Sequence, residues 1–139
     1  MKLLILSAAF ILLAHFTSSG QTADALGQLA GTTSQQWWVI GTLHDGATCK
    51  PGDATYTFSK TPAQVVMKQC AGGTWKSSTE AVTTWNAGTK SGIAFGGARY
   101  EVKALPPTAP ACKGNAHCLR LATVPDGKTD ATRTIYLTH

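Results

Sequence analysis

The chain has 139 residues, 43% of them hydrophobic, and a formal net charge of +5. This length fits one domain. The basic residues (Lys50, Lys60, Lys68, Lys76, Lys90, Arg99, Lys103, Lys113 and Lys128 among them) are scattered, and no stripe of them forms a nucleic-acid footprint.

Taken in chain order, the first segment reads as a leader. Lys2 precedes the uncharged apolar run LLILSAAFILLA, and small and polar residues follow it. Residues 1–22 are therefore expected to be a secretory signal peptide, cleaved after Gly20, Ala23 or Ala25. The run is shorter than the roughly 20 residues a spanning helix needs, so no membrane span is expected after processing. A secreted or periplasmic location follows. Residues 23–34 read as a flexible lead-in that could hold one short helical turn, weakened by its glycines.

Residues 35–139 read as one β domain. QQWWVIGTL opens it, with Trp37, Val39 and Leu43 on one face and Trp38 and Ile40 on the other. HDG at 44–46 is a turn. Cys49 to Cys70 reads as a hairpin: Tyr56 and Phe58 alternate with Thr55 and Thr57, Ser59 to Pro62 turn, and Val65 to Met67 begin the return. Asp53 is expected to shape the turn before Tyr56. The stretch 74–86 carries Trp75 and Trp85 at its ends, and a strand is expected at 80–86, with a bulge or loop at 76–79. Ile93 and Phe95 alternate in a short strand, and Gly96-Gly97 signals a hairpin into Tyr100 and Val102. The longest loop, about 104–118, contains Pro106, Pro107 and Pro110. LRLATV puts Leu119 and Leu121 on one face and Arg120 on the other. The last strand sets Arg133, Ile135 and Leu137 against Thr134 and Tyr136.

About eight short strands with turn signals every 8–12 residues predict an all-β, antiparallel up-and-down barrel. Four cysteines in a small exported chain predict two disulfides. The local pairs Cys49–Cys70 and Cys112–Cys118 are expected, contributing roughly 3 and roughly 2 kcal/mol on a chain-entropy account. The rival is a metal site, because CKGNAHC puts His117 between two cysteines. Zinc sites show paired CxxC spacing or several histidines, so no metal and no cofactor is expected.

The order of features resembles a known family. C-K-P-G-D-x-x-Y-x-F at 49–58 is followed by Cys70, Trp85 and Ile93. Y-E-V-K-A-L at 100–105, L-R-L at 119–121 and a final strand ending in Leu137-Thr138 come next. This resembles the small secreted lipocalin-like domains of bacteria, of the calycin type. Gln35-Gln36 stand before Trp37 where lipocalins proper carry Gly-x-Trp. The resemblance implies a barrel with a hydrophobic ligand and no catalytic residues.

The candidate ligand-binding residues are Tyr56, Phe58, Trp85, Phe95 and Tyr100, expected to line the interior. Arg120 joins them as a holder of an anionic head group if it turns inward, beside Arg133 if the two are cross-strand neighbours; arginine more often faces water. Trp37 or Trp38 is expected to plug one end, and Trp75 to be partly exposed. Catalytic residues are not expected: His44, His117 and His139 sit in no nucleophile motif, and Glu80 and Glu101 lie on separate strands. The function expected is binding of a small apolar molecule by a monomer. The alternative is a secreted barrel acting on a protein partner, such as an enzyme, through the stiffened 104–118 loop.

Overall fold

The computed structural model describes residues 24–41, 48–124 and 133–139. The leader, Leu43, the 44–46 turn with His44, and the PDGK turn after Val124 lie outside the described residues.

Among the described residues, a six-residue helix, α1 (Ala25–Ala30), is followed by nine strands. These are β1 (Ser34–Val39), β2 (Ala54–Lys60), β3 (Ala63–Ala71), β4 (Thr74–Ala81), β5 (Thr83–Ala87), β6 (Lys90–Phe95), β7 (Ala98–Leu105), β8 (Cys118–Thr123) and β9 (Thr134–Thr138). All pairings are antiparallel, and they join the strands into one sheet in the order β4-β3-β2-β1-β9-β8-β7-β6-β5. The sheet is curled into a half-barrel.

The sequence leads to this topology through its turns. Gly72-Gly73 and Gly96-Gly97 both sit at positive φ, which a tight two-residue hairpin needs at both central positions. The β2–β3 turn is also two residues, because Lys60 pairs with Ala63. Ser59 Oγ donates to the Pro62 carbonyl and closes that turn.

The stretch 74–87 differs from expectation. Residues 76–79 do not loop; they continue β4 and pair with β3 from Lys76↔Gln69 to Thr79↔Val66. The Ser and Thr side chains here are exposed on both faces, so no apolar alternation marks the strand. The break falls at Val82, whose side chain is buried while its N–H donates to the Ala63 carbonyl. Residues on either side of Val82 pair with opposite ends of the sheet, β4 with β3 and β5 with β6. One bent segment thus gives two strands, making nine where about eight are expected.

The core lies on the concave side. Tyr56 and Phe58 of β2, Val65 of β3, Ile93 and Phe95 of β6, Tyr100 and Val102 of β7, and the alternating leucines and isoleucine of β8 and β9 all face it. Within the expected lead-in, α1 supplies further filling. Ala25, Leu29 and Ala30 of α1 are buried in the same cluster, and α1 packs against β1, β2 and β6. Six residues with a glycine among them would not hold a helix in water; burial of one apolar face does it here. Trp37 Nε1 donates to the Leu29 carbonyl at 2.6 Å and fastens the helix end to β1.

Both disulfides form the expected local pairs. Cys49–Cys70 ties the approach to β2 to the end of β3, and Cys112–Cys118 closes the loop before β8. Among the described residues no helix is long and apolar enough to cross a membrane.

Candidate functional site

The six candidate ligand residues divide between the two faces of the sheet. Tyr56, Phe58, Phe95 and Tyr100 meet on the concave side. Tyr56 and Phe58 stack with centroids 6.3 Å apart, Phe95 meets Phe58 edge-on at 6.1 Å, and Phe95 stacks on Tyr100 at 4.8 Å. These rings pack against one another and belong to the same buried cluster as α1.

Trp85 is not among them. Its β5 position pairs with Gly92, while its neighbour Thr84 pairs with the buried Ile93. Alternation therefore puts Trp85 on the convex face. Its indole lies against Gly92, where a Cβ would collide with the ring and with the Tyr100 carbonyl. The ring N–H donates to the Ile93 carbonyl at 3.2 Å, and the Arg99 guanidinium carbon lies 4.5 Å from the ring centroid. The expectation of an inward Trp85 fails because the anchor for parity in this hairpin is Ile93, one step out of phase with Trp85.

Arg120 also faces outward. It pairs in register with Tyr136 and Lys103, and it reaches Glu101 at 3.6 Å, as Lys90 does. It is not a cross-strand neighbour of Arg133, whose backbone is instead held by Thr123: the Arg133 N–H donates to Thr123 Oγ1 at 2.8 Å.

A cleft of about 560 Å³ opens at the rim of the half-barrel, where β1 ends and where β2 and β9 begin. Val39, Ile40, Ala54 and Ile135 give it apolar walls. Tyr56, Gln69, Lys113 and Arg133 bring polar groups to it. Arg133 Nη2 lies 3.5 Å from the Tyr56 hydroxyl, so a cation stands beside a phenol at the boundary of core and rim. Burial raises the Tyr100 pKa above the ordinary phenol value, and the nearby Arg133 charge partly opposes the rise.

Asp53 borders the cleft in a structural role. Its carboxylate accepts from the Lys50 N–H at 2.9 Å, its N–H donates to the Lys50 carbonyl, and its own carbonyl accepts from Cys70. The turn expected of it from sequence is formed. Lys113 reaches the rim from the disulfide loop with a left-handed backbone, φ 48°.

Arg133 is the cleft residue that sequence reading places outside the main candidate set. Its signal is the parity of β9, since Arg133 shares a face with the buried Ile135 and Leu137.

A second cleft of about 520 Å³ lies at the other end of β9. Trp37, Leu105, Leu119, His117 and His139 line it. The two imidazoles stack with centroids 4.5 Å apart, and His139 meets the Trp37 ring edge-on at 4.4 Å. Trp37, one of the two tryptophans expected to plug an end, is buried here and lines this cleft. Among the described residues, no three His, Cys, Asp or Glu side chains come together as a metal-holding group. The loop between β7 and β8 borders both clefts, through Ala111 and Lys113 on one side and Ala116 and His117 on the other. No protein-family model matches the chain, and neither a curated protein nor a solved structure does.

Proposed function

We propose that this protein is an exported, lipocalin-like binder of a small, largely apolar molecule carrying an anionic end. The rim cleft carries the reading, because it joins apolar walls to the Arg133–Tyr56 pair in a volume suited to a small ligand. The apolar body would lie along Val39, Ala54 and Ile135, above the packed rings of Tyr56 and Phe95. The anionic end would face Arg133 and Lys113. Two disulfides fit an oxidising compartment, in keeping with the leader read from sequence.

The test is a binding panel of fatty acids, retinoids and porphyrins, followed by fluorescence. Saturable binding is expected for an amphipathic acid. Arg133→Gln is expected to weaken it by roughly tenfold, as for loss of one charge-assisted hydrogen bond. Trp85→Phe should leave affinity unchanged. A panel without saturable binding contradicts the reading.

One observation favours a second reading. The interior aromatic rings pack against one another, and the proline-rich loop, stapled by Cys112–Cys118, stands at both clefts. A pre-ordered loop of this kind suits capture of a protein partner. In that case a panel of secreted hydrolases should include one inhibited by the intact protein and spared by the Cys112→Ser, Cys118→Ser variant.

A further inference from the structure

The convex face of the first four strands carries a recess that shares no residue with the rim cleft. Trp38 pairs with Thr55 and Thr55 with Lys68, so the three stand in one row across β1, β2 and β3. Gln36 lies one pleat along on β1. Trp75 of β4 pairs with Cys70, two residues beyond Lys68, and so projects from the same face. These five residues line a hollow of about 220 Å³.

Three strand spacings, roughly 14 Å, separate β1 from β4. Two half-buried indoles therefore flank a floor made by Thr55 and Lys68. Thr55 is only 2% exposed, yet its Oγ1 has no hydrogen-bond partner. A buried hydroxyl without a partner is costly, and valine would fill the same space without that cost. The orphan hydroxyl belongs to a residue that lines the tryptophan-flanked hollow, and a ligand seated on that floor would offer it the partner it lacks.

The residue types select the chemistry of that something. The electron-rich face of an indole attracts positively polarised C–H groups. The flat C–H face of a pyranose ring offers them. Its hydroxyls match the Thr55 hydroxyl, the Gln36 carboxamide and the Lys68 ammonium. A purely aromatic ligand would leave those three groups unpaired, and Lys68 disfavours a cation. We propose that this hollow binds a pyranose unit of a saccharide, with Lys68 favouring acidic sugars.

The disulfide-bonded protein can be titrated with an oligogalacturonate hexamer, cellohexaose and a chitosan hexamer while the indole N–H resonances are followed. The oligogalacturonate is expected to bind saturably and most tightly of the three, moving the Trp38 and Trp75 signals and leaving that of Trp85. Trp75→Ala should weaken binding at least tenfold. Thr55→Val should weaken it at least threefold while the melting temperature holds or rises, an outcome a merely structural threonine would not give. Arg133→Gln, in the rim cleft, should leave saccharide binding unchanged. Absence of saturable shifts with all three sugars overturns the proposal, as does Thr55→Val lowering the melting temperature without changing affinity.

Discussion

The two faces of the half-barrel use aromatic residues for opposite ends. On the concave face Tyr56, Phe58, Phe95 and Tyr100 pack ring against ring, and α1 closes over them. On the convex face Trp38, Trp75 and Trp85 lie half-buried beside polar and charged neighbours such as Gln36, Lys68 and Arg99. The first arrangement excludes water and holds the fold. The second leaves ring surface in reach of solvent. An aromatic residue in a strand therefore says little by itself; its phase relative to a buried neighbour decides which role it takes.

That contrast can be broken most sharply at Phe58. It is fully buried at the centre of the ring cluster, and Phe58→Ala should cost about 3–5 kcal/mol, read from urea unfolding. Trp85→Ala on the convex face should cost clearly less in the same measurement. Comparable losses would show that the convex tryptophans belong to the core after all.

A smaller effect is expected where the two parts of the interior meet. Trp37→Phe keeps a large ring but removes the donor to the Leu29 carbonyl, at a cost of about 1–3 kcal/mol. Amide exchange should speed up first in α1, since the helix loses its tie to β1. Uniform exchange across the sheet, with α1 still protected, would contradict that role.

Much of this architecture was legible from residue order. The pairings Cys49–Cys70 and Cys112–Cys118, the Gly96-Gly97 hairpin and the inward phase of Tyr56, Phe58, Leu119 and Leu121 follow from alternation and turn chemistry. Other features depend on contacts remote in sequence. The helical turn at 25–30 has weak propensity of its own and is stabilised by strands that follow it. The polar run at 76–79 becomes a strand because β3 offers it a partner. Trp85 was misplaced because its phase is set by the buried Ile93, which pairs across the hairpin with Thr84, one residue before Trp85. Nothing in the sequence marks Thr55 as buried without a partner, since that depends on the side chains around it.

The smallest expected effect is one of pH at the far end of β9. Burial, with a lesser contribution from the adjacent His117, lowers the His139 pKa below the ordinary histidine value. Below about pH 6.5 the unfolded chain takes up a proton that folded His139 still refuses. Stability is thus fully present above that pH and falls slightly as the pH drops through the window down to the lowered folded value. His139 is largely exposed, so the shift in urea midpoint between pH 7.5 and 5.5 should be small. His139→Ala should flatten it, and an unchanged slope would remove His139 as its source.

The central claim concerns the rim cleft, and mapping a bound amphipathic acid tests it most directly. Isotope-labelled protein titrated with dodecanoate should show saturating backbone shifts at Ala54, Tyr56, Arg133 and Ile135, with the Trp38, Trp75 and Trp85 indole signals unmoved. Saturating shifts confined to the convex tryptophans, or none at any of these positions, would contradict it.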